Sequence, residues 1–104
     1  MRATFISVML FLAACGGGAP SSLEVCHITC DALKRCGIQT DAQAVNCNNN
    51  CDNMKGTLSD QDAACDKMCT NCGERRSQTA ACGSMDCNKI VSCGQAVDQT
   101  CIQK

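Results

Sequence analysis

The chain has 104 residues, 13 cysteines and a formal net charge of −1. Its two aromatic residues, Phe5 and Phe11, both precede Cys15. One small domain at most can form, and it lacks the large side chains that usually dominate a core, so it needs disulfides or bound metal. Because the charges are nearly balanced and no basic patch is interleaved with aromatic residues, we expect no nucleic-acid partner.

The first element is the apolar segment Ala3–Ala14, which follows Arg2. A helix needs about 20 apolar residues to span a bilayer, so this segment is too short, but it has the length of the apolar core of an export signal. A buried core helix is the competing interpretation. It is less favoured because three glycines follow the segment in place of an amphipathic continuation. Residues 1–14 are therefore predicted to be a signal peptide.

This segment ends in the residues LAAC, positions 12–15, which resemble the lipobox of bacterial lipoproteins: an aliphatic residue, two small residues and a cysteine. The resemblance implies cleavage before Cys15 and acylation of Cys15, with palmitate among the chains, and hence a lipid bilayer as partner. The number of cysteines agrees with a separate role for Cys15, because the other twelve are an even number and can all pair. An ordinary secretory cleavage nearby is the alternative.

The residues after Cys15 predict a tether and a location. The stretch GGGAPSS, positions 16–22, is typical of a flexible linker. Residues 15–21 would then hold a cysteine-rich domain, residues 22–104, close to the membrane. In Gram-negative lipoproteins an aspartate after the cysteine retains the protein at the inner membrane, and this chain has Gly16 there. The resemblance implies anchoring in the outer membrane of the cell envelope, facing the periplasm or the cell surface.

Residues typical of helix starts and helix ends recur regularly in the rest of the chain. A polar residue able to cap a helix N-terminus precedes each of three segments, and a glycine follows each. In chain order, these predicted starts and ends are Ser21 with Gly37, Thr40 with Gly56, and Ser59 with Gly73. The last segment, from Ser77, is interrupted by Gly83 and Gly94 and predicts a turn followed by a helix from about Met85.

No alternating run of β-branched residues is present, so strands are not expected. The predicted fold class is all-α: a small, disulfide-stapled bundle or set of hairpins with three to five short helices.

Four cysteines predict how the first two helices pair. Cys26 and Cys30 lie four residues apart, on one face of the first helix, and Cys47 and Cys51 do the same on the second. Folding the chain at residues 38–39 places Cys30 opposite Cys47 and Cys26 opposite Cys51. We therefore predict the disulfides Cys26–Cys51 and Cys30–Cys47. The spacing is similar to the twin Cys-x3-Cys hairpins of small mitochondrial intermembrane-space chaperones, as a geometric analogy only.

The remaining cysteines predict a cross-link between the two halves of the domain. Cys36 does not lie on the helix face that carries Cys26 and Cys30. With Cys36 included, the first half of the domain holds five cysteines and the second half holds seven. Both numbers are odd, so at least one disulfide joins the halves if all twelve pair, and Cys36 is the natural candidate. Its partner, and the other pairs, stay open because connectivity is not readable from spacing. The seven cysteines of the second half are Cys65, Cys69, Cys72, Cys82, Cys87, Cys93 and Cys101.

Redox catalysis, soft-metal binding and zinc binding are the alternatives to structural disulfides. Cys69 and Cys72 form a Cys-x-x-Cys motif, but structural pairing is favoured over redox catalysis because the βαβ context of thioredoxin-like sites is missing. Soft-metal storage is the main alternative, since the chain resembles bacterial copper-storage bundles whose cysteines bind Cu(I) as thiolates. Zinc is less favoured because no Cys-x2-Cys repeats at finger spacing. We therefore expect no cofactor, metal ligand or catalytic residue.

Among the polar residues, His27 and the pair Arg75–Arg76 are expected to be solvated. A group of asparagines around Cys47 and Cys51 predicts a solvated outer face, with a sugar- or peptidoglycan-contacting surface as the weaker alternative. The sequence thus predicts a non-catalytic binding or structural role, with an unidentified protein or envelope partner.

Overall fold

The computed structural model describes residues 19–104, so the apolar segment and Cys15 lie outside the described residues. This part of the chain is all-α, as predicted. Its five helices are α1 (Ser22–Arg35), α2 (Asp41–Asn53), α3 (Lys55–Met68), α4 (Cys72–Cys82) and α5 (Ile90–Ala96). The β-type pairing found within residues 19–104 is an isolated antiparallel bridge between Cys69 and Gln103. No helix in that range has the length and apolar character needed to cross a membrane.

Local capping explains the first helical hairpin. The caps predicted at Ser21 and Thr40 are both present, each as a capping box: the Ser21 hydroxyl accepts the Glu24 N–H at 3.1 Å, and the Thr40 hydroxyl accepts the Gln43 N–H at 3.2 Å. Each reciprocal bond, from the cap residue's own N–H to the third residue's side chain, is also formed. Gly37 has φ +71°, the left-handed conformation that ends α1 and lets the chain turn back.

The predicted boundary between the second and third helices is wrong. We expected α2 to run to Gly56 and a new helix to start at Ser59. Instead α2 ends at Asn53, Met54 forms the turn, and α3 begins at Lys55. Gly56 has a negative φ, so it continues the helix and does not cap it; Gly37 is the glycine with positive φ among residues 19–104.

The predicted end of the third helix at Gly73 is also wrong. Helix α3 stops at Met68, and Cys69 is extended with ψ 149°. The cause is the C-terminal segment, which pairs with this bend: Thr70 N–H donates to the Ile102 carbonyl at 2.7 Å, and Lys104 N–H donates to the Met68 carbonyl at 3.1 Å.

Beyond this bend the helix boundaries differ again. Gly73 is the second residue of α4, and the last helix begins at Ile90, whereas we expected Met85. Residues 83–89 form turns, and Gly94 lies within α5.

The core of the described domain is made largely of disulfide sulfur. Eight apolar residues are buried, and five of them are cysteines, so cross-links occupy the space that aromatic side chains fill in larger domains. Helix α1 is central, because it packs against α2, α3 and α4, while α5 packs on α4. The buried residues are Cys30, Ala32, Ala44, Cys51, Cys69, Cys72, Cys82 and Ile90.

Gly83 marks a close approach between α1 and the end of α4. A Cβ at this position would lie 2.5 Å from Cγ2 of Ile28 and 3.2 Å from the Ala80 carbonyl oxygen. Ile28 is β-branched and stiff within a helix, so it cannot easily move aside. We expect Gly83→Ala to lower the free energy of unfolding by about 1–3 kcal/mol, as measured by urea denaturation followed by circular dichroism.

Gly94 provides the matched control, because it lies in α5 with no atom within 4 Å of an added Cβ. Gly94→Ala should therefore raise the free energy of unfolding by about 0.5–1 kcal/mol, the usual helix preference for alanine. Destabilisation by both variants, or by neither, would contradict the packing assigned to Gly83.

Candidate functional site

All twelve cysteines after Cys15 form disulfides with one another. The two pairs expected in the hairpin are present: Cys26 bonds Cys51 with a Cα–Cα distance of 5.9 Å, and Cys30 bonds Cys47 at 5.8 Å. Both distances are typical of disulfides. Their sulfurs pack together, with 3.6 Å between Sγ of Cys30 and Sγ of Cys51. Cys15, the residue predicted to carry the lipid, lies outside the described residues.

One disulfide joins the two halves, and it starts at Cys36, the residue expected to do so. Its partner is Cys87, which spacing alone did not identify. The second half contains three further pairs that the sequence left open, Cys65–Cys72, Cys69–Cys101 and Cys82–Cys93.

The Cys-x-x-Cys motif is therefore divided between two disulfides. Cys69 and Cys72 are three residues apart but bond to different partners, because the bend at Cys69 separates α3 from α4. Their sulfurs remain close: Sγ of Cys65, Cys69 and Cys72 all lie within 4.8 Å of one another. A second such group is Cys26, Cys30 and Cys51. Sulfurs in disulfides are not thiolates, so either group would need reduction before it could bind a soft metal.

A cleft of about 360 Å³ opens beside the Cys65–Cys72 disulfide, lined by residues of α1, α3 and α4 and by Gln99. Arg75 lies along it. One terminal nitrogen of Arg75 donates to the Gln99 carbonyl at 2.9 Å. The other contacts both sulfurs of the disulfide, at 3.0 Å from Cys65 Sγ and 3.3 Å from Cys72 Sγ. Nε of Arg75 is buried and has no hydrogen-bond partner within residues 19–104.

The prediction that Arg75 and Arg76 are a solvated linker pair is wrong, because both belong to α4 and face the protein. The side chain of Arg76 is 16% exposed. It donates to the Pro20 carbonyl at 2.7 Å and forms ion pairs with Asp62 at 3.6 Å and Asp66 at 3.3 Å. Arg76 therefore links α4 to α3 and to the residues that precede α1.

The C-terminal segment beside Arg75 carries a perturbed carboxyl. The hydrogen bond from the Thr100 N–H, at 2.9 Å, lowers the pKa of Asp98 below its usual value, and the positive charge of Arg75 lowers it further.

A shallow, uncharged groove of about 530 Å³ runs along α2. Four amide side chains line it: three follow one stripe of α2 and the fourth comes from the turn before the helix, with Ile38 at one end. Oε1 of Gln39 is buried and has no hydrogen-bond partner among the described residues. Asn46 and Asn50 are exposed, as expected for the asparagine-rich face. The four amides belong to Gln39, Gln43, Asn46 and Asn50.

The side chain of His27 is 33% exposed, in line with the expected solvated position, but it also makes contacts that the sequence did not predict. It bridges α1 to α2: Nδ1 lies 2.5 Å from Oδ1 of Asn48, and Nε2 lies 2.8 Å from Oδ1 of Asp52. The amide nitrogen of Asn48 donates to the Ala44 carbonyl at 3.0 Å, which leaves its oxygen directed at the imidazole. Both ring nitrogens therefore face acceptors, an arrangement that suits the doubly protonated imidazolium.

We expect His27 to titrate above its usual pKa of 6.5. The hydrogen bond to Asn48 contributes most to raising the pKa, followed by the hydrogen bond to Asp52. Because the folded-state pKa is raised, the stability contributed by the charged form is fully present below the unfolded-state pKa and is lost as pH rises through the folded-state pKa. Proton NMR titration of the single imidazole measures this value. Asn48→Ala should lower it, and a midpoint at or below 6.5 in the unmodified chain would contradict the bridge.

Residues 19–104 thus form a domain of the class of small all-α domains stapled by disulfides. Comparison with known proteins adds no relative: no protein-family model, no curated protein and no solved structure matches this chain.

Proposed function

We propose that this chain is a membrane-anchored, cysteine-rich lipoprotein of the bacterial cell envelope, with a non-catalytic binding or structural role. The observation that carries the proposal is the pairing of all twelve later cysteines in six disulfides. None of them is available to bond Cys15, which fits a separate role for that residue. Disulfides also form and persist outside the reducing cytosol.

The rigid helical domain suits binding or spacing at the envelope. Cross-links replace an aromatic core, so the domain keeps its shape without a large buried apolar area. The groove lined by amides on α2 is uncharged and offers exposed donors and acceptors at Asn46 and Asn50. Such a surface suits a neutral, hydrogen-bonding partner.

The anchor is tested by mass spectrometry of the chain expressed with its first 14 residues in a bacterium that processes lipoproteins. We expect the N-terminal peptide to begin at Cys15 and to carry acyl mass, and the protein to fractionate with membranes. Cys15→Ser is the matched control and should abolish both results. An N-terminal peptide that begins elsewhere, or an unmodified Cys15, would overturn the proposal.

Soft-metal storage is the second candidate, favoured by the two groups of three sulfurs within 4.8 Å. The same preparation separates the two functions when thiols are alkylated before and after reduction. Six disulfides, with alkylation only after reduction, support the stapled domain. Twelve alkylatable thiols together with bound Cu(I) support storage and overturn the structural role.

A further inference from the structure

The contact between Arg75 and the Cys65–Cys72 disulfide sets this cross-link apart from the other five. A single guanidinium nitrogen lies 3.0 Å and 3.3 Å from the two sulfurs. Within residues 19–104, no carboxylate oxygen lies within 4.0 Å of a guanidinium nitrogen of Arg75. Its positive charge is therefore not neutralised by an ion pair, and it acts on the adjacent sulfurs as well as on the more distant carboxyl of Asp98. A nearby arginine stabilises a thiolate, the form in which sulfur leaves a broken disulfide.

Position in the fold adds to this effect at Cys72. Cys72 is the first residue of α4, where the N–H groups of the first turn point toward the end of the helix and favour negative charge. The guanidinium thus lies against both sulfurs, and the helix end adds to its effect at Cys72 alone. Cys36–Cys87 is the other disulfide with an arginine contact, but Arg35 reaches only Cys87 Sγ, at 3.7 Å, and Cys87 lies in a turn.

Accessibility distinguishes the two sulfurs. Cys72 is 2% exposed, whereas Cys65 is half-buried, and both line the cleft of about 360 Å³. An incoming thiolate therefore reaches Cys65 more readily than Cys72. The loop closed by this disulfide is also the shortest of the six, with a sequence separation of 7. Opening it therefore adds the least conformational entropy to the unfolded chain, so it lowers the free energy of unfolding less than opening any of the other five.

We infer that Cys65–Cys72 is a site of thiol–disulfide exchange, at which a thiol donor adds to Cys65 and Arg75 stabilises the departing Cys72 thiolate. In the first step the donor thiolate forms a bond to Cys65 Sγ, the Cys65–Cys72 bond breaks, and its electron pair stays on Cys72. The product is a mixed disulfide on Cys65. A dithiol donor completes the reaction when its second thiolate attacks its own sulfur and releases Cys65, so that the donor is oxidised and the cystine is reduced.

The Cys72 thiolate can also react within the chain, with the sulfur of Cys69. Sγ of Cys69 lies within 4.8 Å of Sγ of Cys72 and is bonded to Cys101. Attack by Cys72 on Cys69 forms the Cys69–Cys72 disulfide and leaves Cys101 as the thiolate, with no net change in oxidation state. The Cys-x-x-Cys motif is then closed, and the covalent link to the C-terminal segment is broken.

The test uses the purified full chain, treated with limiting glutathione under native conditions and quenched at timed points with iodoacetamide. Peptide mapping without further reduction locates the glutathione and the alkyl group. We expect glutathione on Cys65, the alkyl group on Cys72 or on Cys101, and reaction at this site before reaction at Cys82–Cys93. Glutathione on Cys72, or earlier reaction at any other disulfide, would overturn the inference.

Substitution of Arg75 tests its part in the reaction. A tenfold change in the acidity of the leaving thiol changes exchange rates by about threefold, so Arg75→Gln should slow exchange at Cys65 by about threefold to tenfold. Arg75→Lys keeps the charge and should retain more of the rate. Arg76→Gln is the matched control, since Arg76 contacts Pro20, Asp62 and Asp66 but neither sulfur.

Every rate is divided by the rate at Cys82–Cys93 in the same molecule, which corrects for a general loss of stability. Arg76→Gln should change this ratio by less than about twofold. Loss of leaving-group stabilisation would change it by about threefold or more. An unchanged or increased ratio in Arg75→Gln would overturn the role of Arg75.

Discussion

Replacing both Cys36 and Cys87 by alanine should lower the free energy of unfolding by about 4 kcal/mol. This disulfide spans 51 residues, the largest separation of the six, so its loss releases the most conformational freedom in the unfolded chain. Neither cysteine is among the buried residues, so little packing is lost with the bond. The cross-link also joins α1 to the turns at residues 83–89, between α4 and α5.

Urea denaturation under non-reducing conditions measures this loss. Cys65→Ala with Cys72→Ala is the matched control: its separation of 7 predicts a contribution from loop closure of about 2 kcal/mol. Hydrogen exchange should also become faster at residues 83–89 in the first variant. A loss below about 1 kcal/mol in that variant would show that packing and the hydrogen bonds from Arg35 to Gly83 and Met85 hold the halves together without the disulfide.

Asp62→Ala should lower the free energy of unfolding by about 2–3 kcal/mol. One oxygen of Asp62 accepts the Ser22 N–H at 2.8 Å, at the first turn of α1, and the other accepts the Ser22 hydroxyl. The same carboxylate pairs with Arg76, and both side chains are only 16% exposed. Its removal leaves a free N–H at the start of α1 and a largely buried guanidinium with one partner fewer.

Asp66→Ala tests whether Asp62 stabilises the domain by capping α1 from another helix or only through its negative charge. Asp66 also pairs with Arg76, at 3.3 Å, but its side chain is 53% exposed and it makes no bond to α1. We expect Asp66→Ala to lower the free energy of unfolding by less than about 1 kcal/mol. Thermal and urea denaturation of both variants provide the comparison. Equal losses would mean that Asp62 contributes only surface charge and that α1 does not depend on α3 for its cap.

The parts of the fold that could be predicted depend on residues close together in the chain. The caps at Ser21 and Thr40 act across three residues, so their bonds form wherever the local backbone is helical. The hairpin disulfides follow from two pairs of cysteines, each at a spacing of four, on helices joined by a short turn. Only one antiparallel register brings all four together, so spacing was sufficient there.

The errors arise where distant residues set the local structure. Helix α3 ends at Met68 because the C-terminal segment, some 30 residues further along, bonds to the chain at Thr70 and bridges Cys69. Without that contact, we would expect the helix to end at Gly73, because glycine commonly follows a helix. The sequence also did not predict the partner of Cys36 or the contact of Arg75 with the sulfurs, because neither contact produces a local sequence pattern.

The sequence by itself determined the all-α class, the first hairpin with its two disulfides, and the need for a cross-link from Cys36. These follow from helix periodicity, local caps and the parity of the cysteines. Only the tertiary structure decided the pairing in the second half, the burial of Arg76 with Asp62, and the division of the Cys-x-x-Cys motif between two cystines. The physical reason is that these contacts depend on where the chain returns after long loops, and spacing along the sequence does not encode that path.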